Sequence, residues 1–129
     1  MFKPIIAEIE TIEQVAYQFR DNYPQLAARC NGRIEKAIDL AASGYVSLAR
    51  RNLAHVRSQV GAASYSVTPG VFGGWAFCDC QDNRRGNTCK HVLAAEFATR
   101  AQEIERNRAI RDYYAESAEM ADAAQMLPA

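Results

Sequence analysis

The first 22 residues contain a pattern of apolar and polar positions that is typical of an amphipathic helix. Ile12, Val15 and Phe19 recur every three or four residues, with polar residues between them. Thr11 precedes this run and has a glutamine three residues further on, which is the spacing of a capping box. The pattern predicts a helix over residues 11–22.

A second helical pattern extends from Leu26 to Ala41, and Gly44 follows it at a position typical of a helix C-cap. Asn31 and Gly32 lie inside this pattern, and that dipeptide favours a turn. The sequence therefore allows one continuous helix or a helix that is interrupted at this dipeptide.

Between residues 45 and 80 the period changes from helical to alternating. Short stretches with apolar residues at every second position are separated by glycine and proline, as in strands joined by turns. We expect three strands, near 53–59, 63–68 and 74–79. The first of these stretches also fits a helical period, so a helix remains an alternative for it.

The last forty residues contain a third pattern. From Thr88 to Leu127 the sequence has neither glycine nor proline, and two apolar stripes follow one another slightly out of phase. One long helix and two stacked helices both fit. Together the patterns predict an α+β fold: two N-terminal helices, a small antiparallel sheet and a long C-terminal helix.

Length and composition are compatible with this fold. The chain has 129 residues, of which 49% are hydrophobic and 23% charged, so it can bury a core and is not disordered as a whole. No apolar run approaches the length of a transmembrane helix. We divide the chain into an N-terminal helical segment (1–28), a central domain (29–100) and a C-terminal helical extension (101–129).

The net charge of zero results from an uneven distribution of charge. Residues 1–28 carry −2, residues 29–91 carry +5, and residues 92–129 carry −3. A neutral chain as a whole argues against a nucleic-acid partner, whereas a basic central segment is compatible with one.

The cysteines are placed for metal binding. The first residues have no apolar stretch of signal-peptide length, so we expect an intracellular, cytoplasmic protein in which cysteines are reduced. Eight residues separate Cys78 and Cys80 from Cys89 and His91, and three thiolates with one imidazole form a complete tetrahedral set for Zn²⁺.

The spacing of these four residues fits the predicted elements. Two cysteines two residues apart point to the same face of a strand. Residues two apart on a helix diverge, so Cys89 must lie before or at the start of the last helix and His91 in its first turn, which Thr88 as the N-cap would allow. We expect one structural zinc ion with Cys78, Cys80, Cys89 and His91 as its ligands.

Other interpretations of these residues are core cysteines beside a surface histidine, a nucleophilic cysteine–histidine pair, and redox-active thiols. A catalytic zinc usually keeps an open coordination position, and four protein ligands leave none. The sequence shows no catalytic carboxylate pair, phosphate-binding loop or nucleophile triad. We therefore expect that the chain is not an enzyme.

Residues 75–80 and 86–95, which read WAFCDC and GNTCKHVLAA, resemble the SWIM zinc finger. That family has the pattern Cys-x-Cys, a variable loop and Cys-x-His, with lysine before the histidine and small apolar residues after it. Arg33, Ala37 and Gly44 resemble its upstream helix more weakly. The resemblance implies a ββα finger with a role in DNA binding or protein interaction, as in helicase-like ATPases, transposases, recombination factors and ubiquitin-ligase-like proteins.

Basic side chains lie in the sequence around the expected metal site. Cations next to a helix start are suited to phosphate contacts without base readout. The same charges can instead solvate a loop or offset the −1 of a zinc ion with three thiolates. The candidate nucleic-acid-binding residues are Arg84, Arg85, Lys90, Arg57, Arg50 and Arg51.

The remaining chemistry-bearing residues have simpler interpretations. Trp75 and Phe77 are expected in the core of the finger rather than stacked on bases, and Cys30 is expected in the core of the helices. His55 is expected on a strand surface or partly buried. Tyr113 and Tyr114 could form an exposed binding patch or pack against the N-terminal helix, and packing is expected. The acidic run Glu116, Glu119 and Asp122 is expected to form a solvated face.

The sequence thus predicts a small zinc-finger binding module or accessory protein that engages DNA or RNA through a basic loop. The alternative is a protein adaptor or self-associating subunit, encoded for example by a phage or mobile element, in which the zinc ion is purely structural. No membrane association and no small-molecule substrate are expected.

Overall fold

The computed structural model describes residues 2–61, 63–70 and 76–125, the last six of them by backbone alone. Helix α1, Ile9–Asn22, begins two residues before the predicted start, and Glu8 is its N-cap. The Glu8 carbonyl accepts from the Ile12 amide at 3.1 Å, whereas Thr11 is buried inside the helix. The prediction that Thr11 caps this helix was therefore wrong.

Two short helices follow, because the helical conformation is interrupted at Asn31. Helix α2, Pro24–Cys30, has its proline at the first position, where the missing amide hydrogen costs no hydrogen bond. Asn31 then takes a positive φ of 52°, and helix α3, Arg33–Ala42, begins with Gly32 as its N-cap. The interrupted alternative is thus the observed one.

Four strands form one antiparallel sheet in the order β1-β2-β3-β4. Their bounds are Val46–Arg50 for β1, Leu53–Arg57 for β2, Ser64–Thr68 for β3 and Phe77–Cys78 for β4.

The sheet differs from the sequence prediction in two ways. The strand expectations near 53–59 and 63–68 are confirmed, and the helical alternative for the first of them is wrong. Strand β1 was not predicted. Of the strand expected near 74–79, residues 74 and 75 lie outside the described residues, and Phe77 and Cys78 form β4. Asn52, with a φ of 66°, forms the tight turn that pairs β1 with β2.

One continuous helix completes the chain. After the single turn of α4, Gln81–Arg84, helix α5 runs from Lys90 to Gln125 without a break. Its first three turns are buried: α5 packs on α3 and α1 and also contacts every strand. Phe97 meets Phe19 of α1 edge to face, with ring centroids 5.8 Å apart.

The fold class is the predicted α+β arrangement, with the helices on one face of the sheet. Val46, Ala54, Val56 and Val67 point from the strands into the core formed with the helices. Within the described residues, no helix is long and apolar enough to cross a membrane. The division into three sequence segments stays a prediction.

The second half of α5 extends away from this core. All side chains over residues 106–119 are exposed. Tyr113 and Tyr114 are 66% and 67% exposed and contact each other edge to face. The expectation that they pack on the N-terminal helix was wrong, because α1 contacts α5 nearer to its start. Glu116 and Glu119 are solvated as expected, and the Asp122 side chain lies outside the described residues.

Candidate metal centre and the basic surface beside it

The four predicted ligands are brought together by the end of a strand, a tight turn and a helix start. Cys78 ends β4, which pairs with β3 so that Val67 lies opposite Cys78. Cys80 directly precedes α4 and Cys89 directly precedes α5, so that His91 lies in the first turn of α5. The strand pair and α5 form the expected ββα order, with α4 inserted before the last helix.

The geometry of the cluster fits a single zinc ion. The three sulfur atoms and one imidazole nitrogen all lie within 4.8 Å of one another, and all four residues are buried. Cys78 Sγ is 3.8 Å from His91 Nδ1. In tetrahedral coordination, a Zn–S bond of about 2.3 Å and a Zn–N bond of about 2.0–2.1 Å separate sulfur from nitrogen by roughly 3.6 Å, so this distance is close to that expected for two ligands of one ion.

The thiols of the metal-free cluster share protons unequally. A hydrogen bond from Cys78 lowers the pKa of Cys89 to about 4, and the same bond raises the pKa of Cys78. Burial raises the pKa of the Cys80 thiol. Burial of three thiols is compensated when a divalent cation binds, because a coordinated cysteine is a thiolate.

Backbone amides also donate to two of the sulfurs. The Asn83 amide donates to Cys80 Sγ at 3.4 Å and the Val92 amide donates to Cys89 Sγ at 3.5 Å. Cys80 and Cys89 thereby cap α4 and α5, so the N-cap expected at Thr88 lies one residue too early. The reason is that the sulfur of Cys89 reaches the third amide of the helix and takes the place of a hydroxyl cap.

The loop between Cys80 and Cys89 is held by side chains that the sequence analysis did not select. Arg33 Nε and Nη2 donate to the two carboxylate oxygens of Asp82, at 2.7 and 3.0 Å. Asn87 Nδ2 donates to Asp82 Oδ1 at 2.8 Å, and Cys78 donates its amide to Asn83 Oδ1 at 3.0 Å. These bonds tie the loop to α3 and to β4.

The composition of the loop is typical of a turn held by side-chain hydrogen bonds. The run DNRRGN is rich in residues whose side chains bond to nearby backbone groups. Gly86 within it takes a φ of 90°, which favours glycine. The partner on α3 had no local signal, because Arg33 lies 49 residues before Asp82.

The imidazole of His91 is oriented by a ring on the neighbouring strand. Tyr65 of β3 stacks on His91 with ring centroids 4.2 Å apart and an angle of 29° between the planes. A ligand whose ring is fixed in this way is preorganised for the metal. Tyr65 was recognised in the sequence only as part of a strand.

Comparison with known proteins agrees with this geometry. Residues 75–99 match the SWIM zinc finger family. The matched segment includes the strand that carries Cys78, ends inside α5 and contains all four ligands. The chain therefore carries a zinc-binding module with one structural zinc site, as predicted. No curated protein and no solved structure matched the chain.

Basic side chains from helices outside the SWIM segment lie next to the finger. A cavity of about 460 Å³ beside Cys89 and His91 is lined also by Arg33, Lys36 and Lys90.

A second recess lies on another side of the same loop and is smaller, about 250 Å³. It brings Arg29 of α2 next to Gly86 and Asn87. Lys36 and Arg29 were not selected from sequence, because they lie 39 and 46 residues before the matched segment and only the fold brings them there.

The predicted basic residues separate into two groups. Arg84 and Arg85 are exposed on the finger loop, and Lys90 lines the cavity, where its Nζ donates to Gln59 Oε1 at 3.2 Å. Arg57 instead lies 4.0 Å over the ring of Phe2. The other two, Arg50 and Arg51, are at the turn between β1 and β2, and neither they nor Arg57 line the cavity.

The other sequence expectations have mixed outcomes. Cys30 is buried in the helical core and His55 is partly exposed on β2, both as expected. Phe77 is 56% exposed, so its assignment to the core was wrong. Its partner on β3 is Thr68, and this pair points away from the helices, because Cys78 points towards them. Trp75 lies outside the described residues.

Proposed function

We propose that the chain is a zinc-stabilised module that binds the phosphate backbone of a nucleic acid with the surface around its SWIM loop. The observation that carries the proposal is the cavity beside Cys89 and His91, where three cationic side chains converge. The nearest carboxylate, Asp82, is already engaged by Arg33 through two hydrogen bonds. A phosphate placed there meets cations rather than a competing free carboxylate.

The charge around the loop favours an anion. Six cations lie on it or beside it, and Asp79, Asp82 and a zinc ion with three thiolates contribute −1 each, which leaves a net charge of +3. In the part of the chain that the structure describes, only Arg33 of the six forms a salt bridge. The six cations are Arg29, Arg33, Lys36, Arg84, Arg85 and Lys90.

The zinc ion has a structural role in this proposal. Its four positions are taken by protein side chains, which leaves no open coordination position for a substrate or a water. We therefore propose a binding protein without catalytic activity. The zinc ion fixes the loop that presents Arg84, Arg85 and Lys90.

Binding measured over a salt series tests the proposal. Fluorescence anisotropy with a labelled duplex and with a labelled single strand should show affinity that falls steeply as NaCl rises. The variant Arg84→Ala/Arg85→Ala should reduce the slope of log affinity against log salt by about 2, at ~0.9 per phosphate contact in a duplex. Lys36→Ala should reduce it by about 1, for the same reason.

A matched control removes the same charge elsewhere. Arg50→Ala/Arg51→Ala deletes two exposed cations at the β1–β2 turn and should leave the slope nearly unchanged. If both double variants reduced the slope equally, the phosphate contacts would involve the whole basic segment and not the zinc loop in particular. Absence of binding to either probe at low salt contradicts the proposed function itself.

A further inference from the structure

The part of α5 that projects from the core packs on no other helix or strand that the structure describes. Residues 106–119 form almost four helical turns, and all of their side chains are exposed. Isolated helices of this length are only marginally stable in water, and most helices are stabilised by packing of one apolar face. This segment, called the projecting helix below, therefore has a face available for docking.

An apolar row runs along the projecting helix. Ile110, Tyr114 and Ala118 are spaced four residues apart and lie one above the other on the same side. Ile110 is 48% exposed and Tyr114 is 67% exposed. This row is the centre of the face that we consider.

Charged residues flank the apolar row on one side, and they change sign along the helix. This flanking row contains residues at steps of three or four positions, which lie next to one another along the helix beside the apolar row. In chain order they are Arg108, Arg111, Ala115 and Glu119. The basic end of this row lies nearer the folded core, and the acidic end lies farther from it.

The charges of the projecting helix are poorly compensated within the chain. Arg108 and Arg111 are like-charged neighbours, and so are the pairs Asp112–Glu116 and Glu116–Glu119. Neighbours of opposite charge occur only at its start, in the pairs Glu103–Arg106, Glu105–Arg108 and Arg108–Asp112, and none of these pairs forms a salt bridge. Arg111, Glu116 and Glu119 have no neighbour of opposite charge within residues 106–119. Like charges at these spacings destabilise a helix, so an external partner with the reverse order of charge would stabilise it.

We propose that the projecting helix pairs antiparallel with the same segment of a second copy of this chain. In that arrangement the Tyr114 side chains of the two copies lie at the two-fold axis, and Ile110 of each copy is opposite Ala118 of the other. Glu119 of one copy then lies opposite position 109 of the other, between Arg108 and Arg111.

The sign change along the flanking row selects this orientation. In an antiparallel pair with a two-fold axis, the same flank of both helices meets, and its basic end faces its acidic end. In a parallel pair that flank would meet the opposite one, which carries Arg106 and Tyr113 and offers no carboxylate. The inference is independent of the proposed nucleic-acid function.

The oligomeric state of the zinc-loaded chain is the first test. Sedimentation equilibrium at low ionic strength should give a species of twice the mass of one chain. The dimer should weaken as salt rises, because its orienting contacts are charged and exposed. A monomer at all concentrations and salt levels overturns the proposal, and so does a monomer that instead captures a different protein.

Charge reversal separates this pairing from a general tendency to associate. The acidic variant Arg108→Glu/Arg111→Glu and the basic variant Glu119→Arg should each be monomeric alone. An equimolar mixture of the two should form a heterodimer, because every reversed contact becomes attractive again. Arg50→Glu/Arg51→Glu, which reverses the same charge at the β1–β2 turn, should remain dimeric. Loss of the dimer in this control, or no recovery in the mixture, contradicts the pairing.

The apolar row and the orientation need separate measurements. Tyr114→Ala should weaken the dimer by about tenfold or more, as truncation of a central aromatic anchor does. The control Tyr17→Ala removes a tyrosine of similar exposure from α1 and should have no effect. An unchanged dimer in Tyr114→Ala excludes this face.

Spin labels on Arg106→Cys report the orientation, since the native cysteines are buried. An antiparallel pair centred on Tyr114 separates the labelled positions by 16 residues, or roughly 24 Å at 1.5 Å per residue. A parallel pair would bring the labelled backbones within about 10 Å. The shorter distance overturns the proposal.

Discussion

Replacing Asp82 with asparagine tests whether the contact with α3 holds the zinc loop. The substitution preserves shape and removes the negative charge that Arg33 binds through two hydrogen bonds, at 2.7 and 3.0 Å. Asp82 lies between Cys80 and Cys89 in the sequence, so its loss frees the loop that joins the two halves of the site. We expect the variant to fold and to bind zinc more weakly.

The magnitude follows from the partial exposure of the pair. Their side chains are 24% and 37% exposed, between a surface ion pair and a buried one. Exposed pairs contribute about 0.2–1 kcal/mol, and bonds to charged groups in protected sites about 1.5–3 kcal/mol. We take about 1–2 kcal/mol for Asp82, which corresponds to roughly a 5- to 30-fold increase in the Kd for zinc.

The assay is competition for zinc against a chromogenic chelator at neutral pH. Glu35→Gln is the matched control, because it breaks the exposed Arg20–Glu35 pair between α1 and α3, away from the finger. That control should leave the zinc affinity unchanged. An unchanged affinity in Asp82→Asn, or an equal loss in Glu35→Gln, would refute the role that we assign to the Arg33–Asp82 contact.

The same pair gives a pH dependence with a defined sign. The hydrogen bond from Arg33 lowers the pKa of Asp82 in the folded chain below its value in the unfolded chain. The contribution of the ionised Asp82 to the free energy of unfolding is therefore fully present above the pKa of the unfolded chain, about 3.9. It is lost as the pH falls through the lower pKa of the folded chain. The difference in stability between the native chain and Asp82→Asn should stay constant from neutral pH down to about pH 5.

Three further predictions concern the zinc finger. Removal of zinc by a chelator should expose the amides of residues 76–95 to hydrogen exchange, because structural zinc contributes on the order of 10–16 kcal/mol to small fingers; unchanged protection would contradict the metal assignment. Zinc binding at pH 7 should release about two protons if the cluster is preformed, since the pKa of Cys89 is lowered to about 4 while those of Cys78 and Cys80 are raised. Calorimetry in buffers of different ionisation enthalpy measures this number, and release of three would indicate an unfolded metal-free finger. Gly86→Ala should destabilise the zinc-loaded chain by roughly 1–2 kcal/mol in thermal unfolding, because φ is 90° there; an unchanged Tm would exclude strain at this position.

Sequence patterns were sufficient for the elements that local chemistry controls. The Cys-x-Cys and Cys-x-His spacing identified all four ligands, because zinc prefers these donors and the two spacings suit a strand end and a helix start. The absence of glycine and proline after Thr88 allowed one continuous helix, which is the structure found for α5. The interruption at Asn31 was likewise one of the two predicted alternatives.

The errors concern features that depend on distant parts of the chain. Phe77 and Tyr114 are apolar residues at core-like positions in the sequence, and both are exposed because no element among the described residues covers their faces. Strand β1 was missed because its apolar pattern is short, and its pairing with β2 and with residues 4–5 defines it.

The sequence by itself determined the metal-binding chemistry, the donor spacing and the helical or strand character of most segments, because these depend on residues that are near one another in the chain. The tertiary structure decided which side chains surround the zinc loop. Arg33 and Lys36 reach it from α3 only because α3 packs on α5 and places its first turn beside Cys89. Contacts across such distances carry no local pattern, since packing of the whole core determines them.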